Sequence, residues 1–305
     1  MDPLSEVFSL LNVRTARCTR FEASGEWAFG FPPKPALKFV AVLKGACWIE
    51  FAGGVRHTLA AGDTFLLANA PDYVLANSDA VTPEDGIAGF DWANSDTARH
   101  GGEDTVLLAG SFDFEMSDAH LLVSTLPAFL PIPSGSAAVP VLRAILDLLD
   151  AEIRSTGIGA SLVTARLGDI LLVQALRAYL VEHGPEAAGW VGALADPRIG
   201  RAINLVHADI AHAWTVDELA QAVAMSRSGF SKRFKQLVGL APLDYVLRWR
   251  MRLARDALRQ SQAVATIAHR LGYASESAFG NAFKRVYGAA PRRYWSEAGR
   301  ATVPV

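Results

Sequence analysis

The sequence has little of what builds covalent frameworks, metal sites or common catalytic sites. Its 305 residues include two cysteines, Cys18 and Cys47, which excludes a disulfide-rich scaffold and a CxxC zinc ribbon and suits a reducing compartment. It has no HxH or HExxH metal motif, no GxSxG nucleophile motif and no Walker loop. We therefore predict a protein that is not an enzyme.

Long apolar runs are also scarce. The most apolar later stretch, Ile170 to Val181, is broken by Gln174 and Arg177, and Met1-Asp2-Pro3 does not begin a secretory signal. We therefore expect a cytoplasmic protein without a membrane span. What the chain does have is an apolar content of 51%, enough to bury the cores of roughly two domains.

The formal net charge of −2 hides an asymmetry between the two parts of the chain. Residues 1–196 contain 12 Lys or Arg and 24 Asp or Glu, a net charge of −12, whereas residues 197–305 contain 17 and 7, a net charge of +10. A basic domain of this kind is typical of nucleic-acid binding. Charge alone leaves open two domains that differ only in their solvated surfaces.

The amino-terminal part has the pattern of a β domain. From Val7 to about Pro131, short apolar runs such as Leu37–Leu43, Ala46–Phe51 and Thr64–Leu67 are rich in β-forming residues and separated by Gly, Pro, Asn or Asp. They predict an antiparallel sandwich or barrel, which the prolines after Leu126 bring to an end.

Helical spacing follows from Val139 to Glu182 and predicts two amphipathic helices separated by residues 156–159. Their apolar faces could pack against the β domain or form a homodimer surface, and periodicity does not decide between them. The apolar positions are Val141, Ile145, Leu148, Leu149 and Ile153 in the first helix, and Leu162, Leu167, Ile170, Leu171, Ala175 and Ala178 in the second.

An internal repeat dominates the basic part of the chain. SRSGFSKRFKQLVGLAPLDY (Ser226–Tyr245) recurs as SESAFGNAFKRVYGAAPRRY (Ser275–Tyr294), with nine identities in twenty positions at an offset of 49. Each copy follows a helical segment and a short turn, with Ser226 or Ser275 at the N-cap position, and Thr215 is placed to cap the first leading helix. The pattern predicts two helix-turn-helix units.

The second helix of such a unit can place its amino-terminal residues on base edges in the major groove. Phe230 and Phe234, like Phe279 and Phe283, are four residues apart and predict the buried side of each helix. The remaining faces predict the DNA contacts, although the basic first face could also be an ordinary solvated surface. These residues are Arg227, Ser228, Ser231, Lys232 and Lys235, and then Glu276, Ser277, Gly280, Asn281 and Lys284.

A connecting helix is predicted from Pro242, at N1, to about Gln260. We call the second helix of each helix-turn-helix unit a reader. The connecting helix is roughly 27 Å long, which suits two readers that lie in successive major grooves roughly 34 Å apart. Some of its five arginines should reach phosphates, and we select Arg248 and Arg250 as the candidates. The five are Arg248, Arg250, Arg252, Arg255 and Arg259.

From Pro197 to Trp295 the chain resembles the AraC/XylS family of bacterial transcription regulators. The segments that carry this resemblance are WTVDELAQAVAMSRSGFSKRFKQLVGLAPLDYVLRWRMRLA and IAHRLGYASESAFGNAFKRVYGAAPRRYW. The resemblance implies operator DNA and RNA polymerase as partners, activation, nucleoid association, and DNA contacts at the reader residues above other than Arg227 and Gly280. Many members carry Arg where Asn281 stands, so alanine at Lys232 should weaken operator binding more than alanine at Asn281.

The amino-terminal part resembles the cupin sensor domain of one AraC-type subgroup. The segments that carry this resemblance are MDPLSEVFSLLNV, VLKGACWIEFAGG and LAAGDTFLLANAPDYVL. Where that subgroup often has metal-binding histidines this chain has Val40 and Tyr73, and His57 with Asp63 falls short of a ligand set. The resemblance therefore predicts a sensor without a metal or other cofactor.

Two kinds of signal are compatible with such a sensor. Cys18 is a candidate redox sensor, because a subgroup of these regulators responds to oxidants through a cysteine near this position. The neighbouring Arg14, Arg17 and Arg20 could lower the pKa of its thiol. The alternative is that Cys18 is a small buried hydrophobic residue. A small effector could instead occupy an apolar pocket, or the same side chains could merely fill the barrel. The candidate pocket residues are Trp27, Trp48, Phe65 and Tyr73.

We therefore expect an α+β multidomain protein with a cupin-like β sensor domain (1–136), a helical connector (137–190) and an all-α DNA-binding domain (197–300). The last has helix-turn-helix units at about 215–238 and 264–287 and a linker helix at about 242–260. The expected function is sequence-specific transcription regulation in response to a small molecule or an oxidant. The alternatives are a cupin metalloenzyme fused to a DNA-binding tail and a nucleoid protein without sequence preference.

Overall fold

The computed structural model describes residues 14–33, 36–88, 90–91, 95–113, 126–136, 139–155 and 157–294. The amino-terminal motif of residues 1–13, Trp295 and the last residues of the predicted DNA-binding domain lie outside these ranges. The chain divides into two compact units between Val191 and Gly192. Among the described helices, none combines the length and the apolar character that crossing a membrane requires.

The first unit contains eleven described strands, and the three strands predicted from the sequence are among them. They are β1 (Arg14–Ala23), β2 (Ala28–Phe31), β3 (Leu37–Lys44), β4 (Ala46–Phe51), β5 (Val55–Ala60), β6 (Thr64–Ala68), β7 (Tyr73–Ala76), β8 (Glu84–Asp85), β9 (Thr97–His100), β10 (Thr105–Asp113) and β11 (Phe129–Ile132).

These strands form two sheets, in the orders β11-β6-β3-β10-β1-β9 and β5-β4-β7-β2-β8. The prediction of an antiparallel barrel holds for most neighbours, but β9 pairs with β1, and β8 with β2, in parallel. Both exceptions lie at sheet edges and involve strands far apart in the chain, where no hairpin turn imposes the antiparallel direction.

The core of the first unit lies between the two sheets. Val40 and Val42 on β3, Ile49 on β4 and Leu67 on β6 contribute to one buried apolar cluster. Cys47 belongs to the same cluster and is buried. Aromatic side chains from both sheets complete this cluster and surround the cavity described below.

Two helices, α1 (Val139–Arg154) and α2 (Ala160–His183), pack with the barrel in the same unit. Thr15 on β1 packs so closely on Gly168 of α2 that a Cβ there would collide with it, and Thr15 donates its N–H and hydroxyl to Asp169 at 2.9 Å. Packing against the β domain is therefore confirmed for one face of the pair. Val141 and Leu148, expected on the same apolar face as Ile145 and Leu149, are exposed.

A short 3-10 helix (Pro185–Ala188) precedes the remaining helices, the last five of which lie at the positions that the repeat and its connecting helix predict. They are α3 (Gly189–Ala195), α4 (Ile199–Ala208), α5 (Val216–Ala222), α6 (Arg227–Val238), α7 (Pro242–Arg259), α8 (Val264–Arg270) and α9 (Glu276–Tyr287). Pro242 occupies N1 of α7 as predicted. Helix α7 connects α5 and α6 to α8 and α9 along the chain.

Candidate DNA interface and effector cavity

The first helix-turn-helix unit begins each helix with a polar cap. The Thr215 hydroxyl accepts from the Glu218 amide, and the Glu218 carboxylate accepts from the Thr215 amide at 2.8 Å, which forms a capping box at α5. Ser226 caps α6 by accepting from the Gly229 amide at 3.2 Å. Both predicted N-caps are confirmed: Thr215 sets where α5 starts and Ser226 sets where α6 starts.

Helix α6 separates its buried and exposed sides as the sequence predicts. The rings of Phe230 and Phe234 are buried and lie 5.5 Å apart between centroids. Of the five predicted contact residues, four are exposed and Ser231 is half-buried; the exposed ones are Arg227, Ser228, Lys232 and Lys235. An accessible polar surface begins at the amino terminus of the helix, where base contacts are made in this motif.

The second unit repeats this arrangement with different chemistry. Ser275 caps α9 by accepting from the Ala278 amide at 3.1 Å, and Phe279 and Phe283 are fully buried. The predicted contact residues Glu276, Ser277, Asn281 and Lys284 are all exposed. Between them Gly280 adds no side chain, and among the described residues nothing lies within 4 Å of the position that its Cβ would occupy.

The arginines of α7 do not share one role. Arg248 and Arg259 are exposed and remain candidates for phosphate contact, but Arg252 and Arg255 are only 2% and 1% exposed. Arg252 and Arg255 are therefore not among the arginines placed to reach phosphate, because α7 packs on α8 and α9 and buries them beside the apolar cluster. Burial around α7 is a tertiary effect that the spacing of the arginines does not reveal.

Arg250 was also expected at DNA, and its guanidinium is engaged elsewhere. Its Nε donates to the Ile210 carbonyl at 2.8 Å and its Nη2 donates to the His212 carbonyl at 2.7 Å. These carbonyls belong to the segment between α4 and α5. The prediction of a phosphate contact is therefore not supported by where this side chain lies.

An ion pair that the sequence analysis missed fixes the recognition helix to the start of the unit. Arg233 on α6 donates to Asp196 at 3.1 and 3.2 Å, and Asp196 also accepts from the Arg198 and Ile199 amides. Burial works to raise the pKa of Asp196, but these hydrogen bonds and the Arg233 charge lower it overall. The partners are 37 residues apart, so no local pattern signals the pair.

The largely apolar cavity in the first unit has a volume of about 190 Å³. It is lined by aromatic side chains from both sheets, and Lys38 brings a positive charge to it, with its Nζ 3.5 Å from the Tyr73 hydroxyl. Burial raises the pKa of Tyr73 well above its usual value, so the hydroxyl remains protonated. The aromatic lining consists of Phe21, Trp27, Phe29, Phe31, Tyr73 and Phe90.

Two of the four predicted pocket residues line this cavity, Trp27 and Tyr73, and two do not. Trp48 instead carries the Arg56 guanidinium 3.7 Å from its ring centre, within a network to Glu50 and Asp79. Phe65 is fully buried and packs on Phe129 with the ring centroids 5.3 Å apart. Trp48 alternates with Cys47 and Ile49, which face the core, and therefore lies on the opposite face of β4. Phe65 faces the core but packs beside the cavity without lining it.

Comparisons with known proteins cover nearly the whole chain. A family model described as a cupin matches residues 2–181, and a helix-turn-helix domain model matches residues 219–296. An AraC-like transcription regulator from Streptomyces antibioticus is 40% identical over 298 residues, 96% of this chain and 98% of that protein. This chain belongs to the AraC-like transcription regulators. The expected fold class, a cupin-like β domain with a helical DNA-binding domain, and the regulator function are thereby confirmed.

A further curated relative and a solved structure are also similar to this chain. The RCS-specific HTH-type transcriptional activator RclR of Escherichia coli K12 is 28% identical, over 85% of this chain and 84% of that protein. Among solved structures, ToxT from Vibrio cholerae O395 matches 92% of this chain and 96% of its own, with 14% identity and a TM-score of 0.35.

In this AraC-like regulator Cys18 is buried, at 2% exposure. Burial, followed by the charges of Asp96 and Asp169, raises its pKa to about 12. The expectation that nearby arginines lower this pKa is wrong, because Arg17 pairs with Asp96 at 2.7 Å and Arg20 with Glu22 at 2.6 Å and with Asp150. The Arg14 side chain lies outside the described residues.

His57 and Asp63, which fall short of a metal-ligand set, have structural roles in the regulator. The His57 ring stacks on Phe129 with 4.4 Å between centroids, and the Asp63 carboxylate accepts from the Ala60 and Ser134 amides at 2.8 Å. Across the described ranges, no group of three or more His, Cys, Asp or Glu side chains is placed to hold a metal ion.

Proposed function

We propose that this regulator binds a two-part operator through α6 and α9 and changes its DNA-bound state when a small molecule occupies the barrel cavity. The observation that carries this proposal is the pair of capped helices with exposed polar amino-terminal faces in a region of net charge +10. In functional terms, residues 1–136 act as sensor, 137–190 as connector and 197–300 as DNA-binding domain.

The two readers offer different hydrogen-bonding groups to DNA. Lys232 and Arg227 on α6 suit guanine, whose major-groove edge carries two acceptors. Asn281 on α9 suits adenine, and Glu276 can accept from the cytosine amino group. Arg227 pairs with Asp217 at 3.1 Å, an exposed ion pair that costs little to exchange for a base contact. We therefore propose a guanine-containing half-site for α6 and an adenine- and cytosine-containing one for α9.

Binding of the full chain to its own upstream DNA and to a scrambled duplex at physiological salt tests this proposal. We expect at least about 1,000-fold tighter binding to the upstream DNA, the usual lower range for specific recognition. Arg166→Ala, a loss of an exposed charge in the first unit, is the control and should leave binding unchanged. Equal binding to both duplexes with a steep salt dependence would favour a nucleoid protein without sequence preference.

The cavity supports a compact cyclic or aromatic effector that carries an acidic group. A dry cavity of about 150 Å³ accommodates benzene, so about 190 Å³ leaves room for one small substituent. The Lys38 ammonium and the protonated Tyr73 hydroxyl are donors for that substituent. The buried Trp27 indole N–H has no acceptor among the described residues, which is unusual for a buried donor and gives an effector a further hydrogen bond to form.

Calorimetric titration of the full chain with phenylacetate, ethylbenzene and phenethylamine tests this chemistry. We expect phenylacetate to bind best and phenethylamine worst, because Lys38 attracts the carboxylate and repels the ammonium. Lys38→Met should remove the preference for phenylacetate, and Val40→Phe should fill the cavity and abolish binding. Trp48→Phe, outside the cavity, is the control. Binding that survives Val40→Phe in a folded protein would place the effector elsewhere.

We further propose that a second copy of the chain covers the exposed apolar side chains of α1 and α2. Val141 and Leu148 on α1, with Leu162, Ile170 and Val181 on α2, are each at least 49% exposed. Helical spacing places each set on one side of its helix, clustered exposed apolar side chains are typical of interaction sites, and twofold homodimers are the commonest soluble assembly. The two readers within each chain would then let a dimer engage two operators.

The buried, high-pKa thiol of Cys18 favours a small-molecule signal over an oxidant, although RclR is described as RCS-specific. Mild oxidation of the full chain and of Cys18→Ser should leave operator binding equal in both. A loss of operator binding restricted to the unmodified chain would support the redox alternative.

We also propose that the protein activates transcription through RNA polymerase, acts at the nucleoid in the cytoplasm, and has no enzymatic activity.

A further inference from the structure

Arg250 anchors the segment that leads into the first reader. Besides its bonds to Ile210 and His212, its Nη2 lies 3.3 Å from the Ala211 carbonyl, so three successive carbonyls accept from one guanidinium. The His212 ring then reaches α5, with Nε2 3.4 Å from Oε1 of Glu218, the residue of the α5 capping box. Arg250 therefore holds the entry to α5, and the turn after α5 leads directly into α6.

The same guanidinium also contacts the second reader unit. Its central carbon lies 5.6 Å from the centre of the Tyr273 ring, in the turn between α8 and α9, and that ring packs edge-on against Phe279 of α9 at 5.6 Å. The neighbouring Gly272 has a φ of +78°, and a Cβ there would collide with the Ala211 carbonyl oxygen. The turn before α9 thus rests on the segment that Arg250 anchors.

We propose that Arg250 is a positioning residue that sets the spacing between the half-sites read by α6 and α9. The inference rests on the proposed two-part operator. A planar guanidinium with several fixed donors can hold three carbonyls and an aromatic face at once, whereas a lysine ammonium cannot reproduce that geometry. Each additional base pair rotates the second half-site by about 35°, so a rigid pair of readers tolerates one spacing only.

The experiment begins by selecting bound sequences from random duplex DNA with the unmodified full chain, which defines the half-sites and their spacing. Affinities are then measured for probes with that spacing and with one base pair added or removed. For the unmodified chain we expect a loss of at least about tenfold on either altered probe. For Arg250→Lys we expect weaker binding at the selected spacing and a loss of less than about threefold on the altered probes.

Arg248→Lys is the matched control, because Arg248 is exposed on the same helix and is proposed to contact phosphate. It should lower affinity equally at all spacings. If Arg250→Lys behaves in that way too, or leaves the spacing penalty unchanged, the positioning role is overturned. If Arg250→Lys lowers the melting temperature of the protein too far, Tyr273→Leu provides a second variant. We expect Tyr273→Leu to reduce the loss of affinity on the altered probes as well. Failure of the unmodified chain to select two half-sites would instead overturn the proposed operator.

Discussion

At the scale of single residues, short polar side chains decide where the recognition helices begin. Ser226 and Ser275 accept from amides three residues ahead, and Thr215 exchanges hydrogen bonds with Glu218. Each interaction is local, and its geometry follows from helical backbone angles alone. Sequence spacing is sufficient to predict such caps, whereas the readout that the helices support depends on which side chains remain exposed.

Alanine substitutions separate the contributions of the two readers. Lys232→Ala removes a charged donor from α6 and should weaken operator binding by about 1–3 kcal/mol, in the range for a good base contact. Asn281→Ala should cost less, because Asn281 is neutral and Gly280 beside it has no side chain to support it. Electrophoretic mobility shifts at physiological salt measure both. A larger loss for Asn281→Ala would reverse our ranking of the two readers.

Gly280 allows stability and DNA binding to be separated at one position. Glycine inside a helix costs roughly 0.5–1 kcal/mol relative to alanine, and the described residues leave open space where its Cβ would lie. Gly280→Ala should therefore raise the free energy of unfolding by about that amount. If DNA approaches the bare backbone here, operator affinity should fall at the same time. Thermal melting and binding titrations of one preparation check both effects.

At the scale of elements, a stack of rings ties α4 to α7. The ring of His207 lies 4.1 Å from that of Trp249, and its Nε2 is 2.7 Å from the Tyr245 hydroxyl. Burial lowers the pKa of His207 to about 3. The unfolded chain, with a pKa near 6.5, therefore binds a proton that the folded chain excludes over this range.

This stack predicts a loss of stability in acid. His207 contributes its full stabilisation above about pH 6.5, and the contribution falls as the pH drops towards 3, by at most about 1.4 kcal/mol per pH unit. Denaturant unfolding between pH 7 and 4 measures the slope. His207→Gln should flatten it, whereas the exposed control His269→Gln should not. An unchanged slope in His207→Gln would assign the acid sensitivity to other groups.

At the scale of the whole molecule, the exposed apolar side chains of α1 and α2 govern assembly in our proposal. Leu148→Glu combined with Ile170→Glu places charges on that surface and should shift sedimentation equilibrium from dimer to monomer. Ile87→Glu is the matched control, since Ile87 is also about half exposed but lies after β8. A monomeric unmodified chain, or dimers that persist in the double variant, would refute the proposed interface.

Predictions from the sequence depart most from the structure at side chains that could lie in either of two environments. The arginines of α7 all lie on one helix, yet Arg248 is exposed, Arg250 bonds to carbonyls and Arg255 is buried. Likewise Trp27 lines the cavity and Trp48 lies outside it. Each outcome depends on which distant element covers that face, and no spacing rule contains this information.

The two helix-turn-helix units, their caps and their buried phenylalanine pairs follow from interactions between residues three or four positions apart, so the amino-acid sequence is sufficient to predict them. The motifs of these units also carry the resemblance to the AraC/XylS family. The lining of the cavity, the high pKa of Cys18 and the engagement of Arg250 depend instead on the tertiary structure. Those properties arise from desolvation and from contacts across tens of residues, so they exist only once the chain has folded.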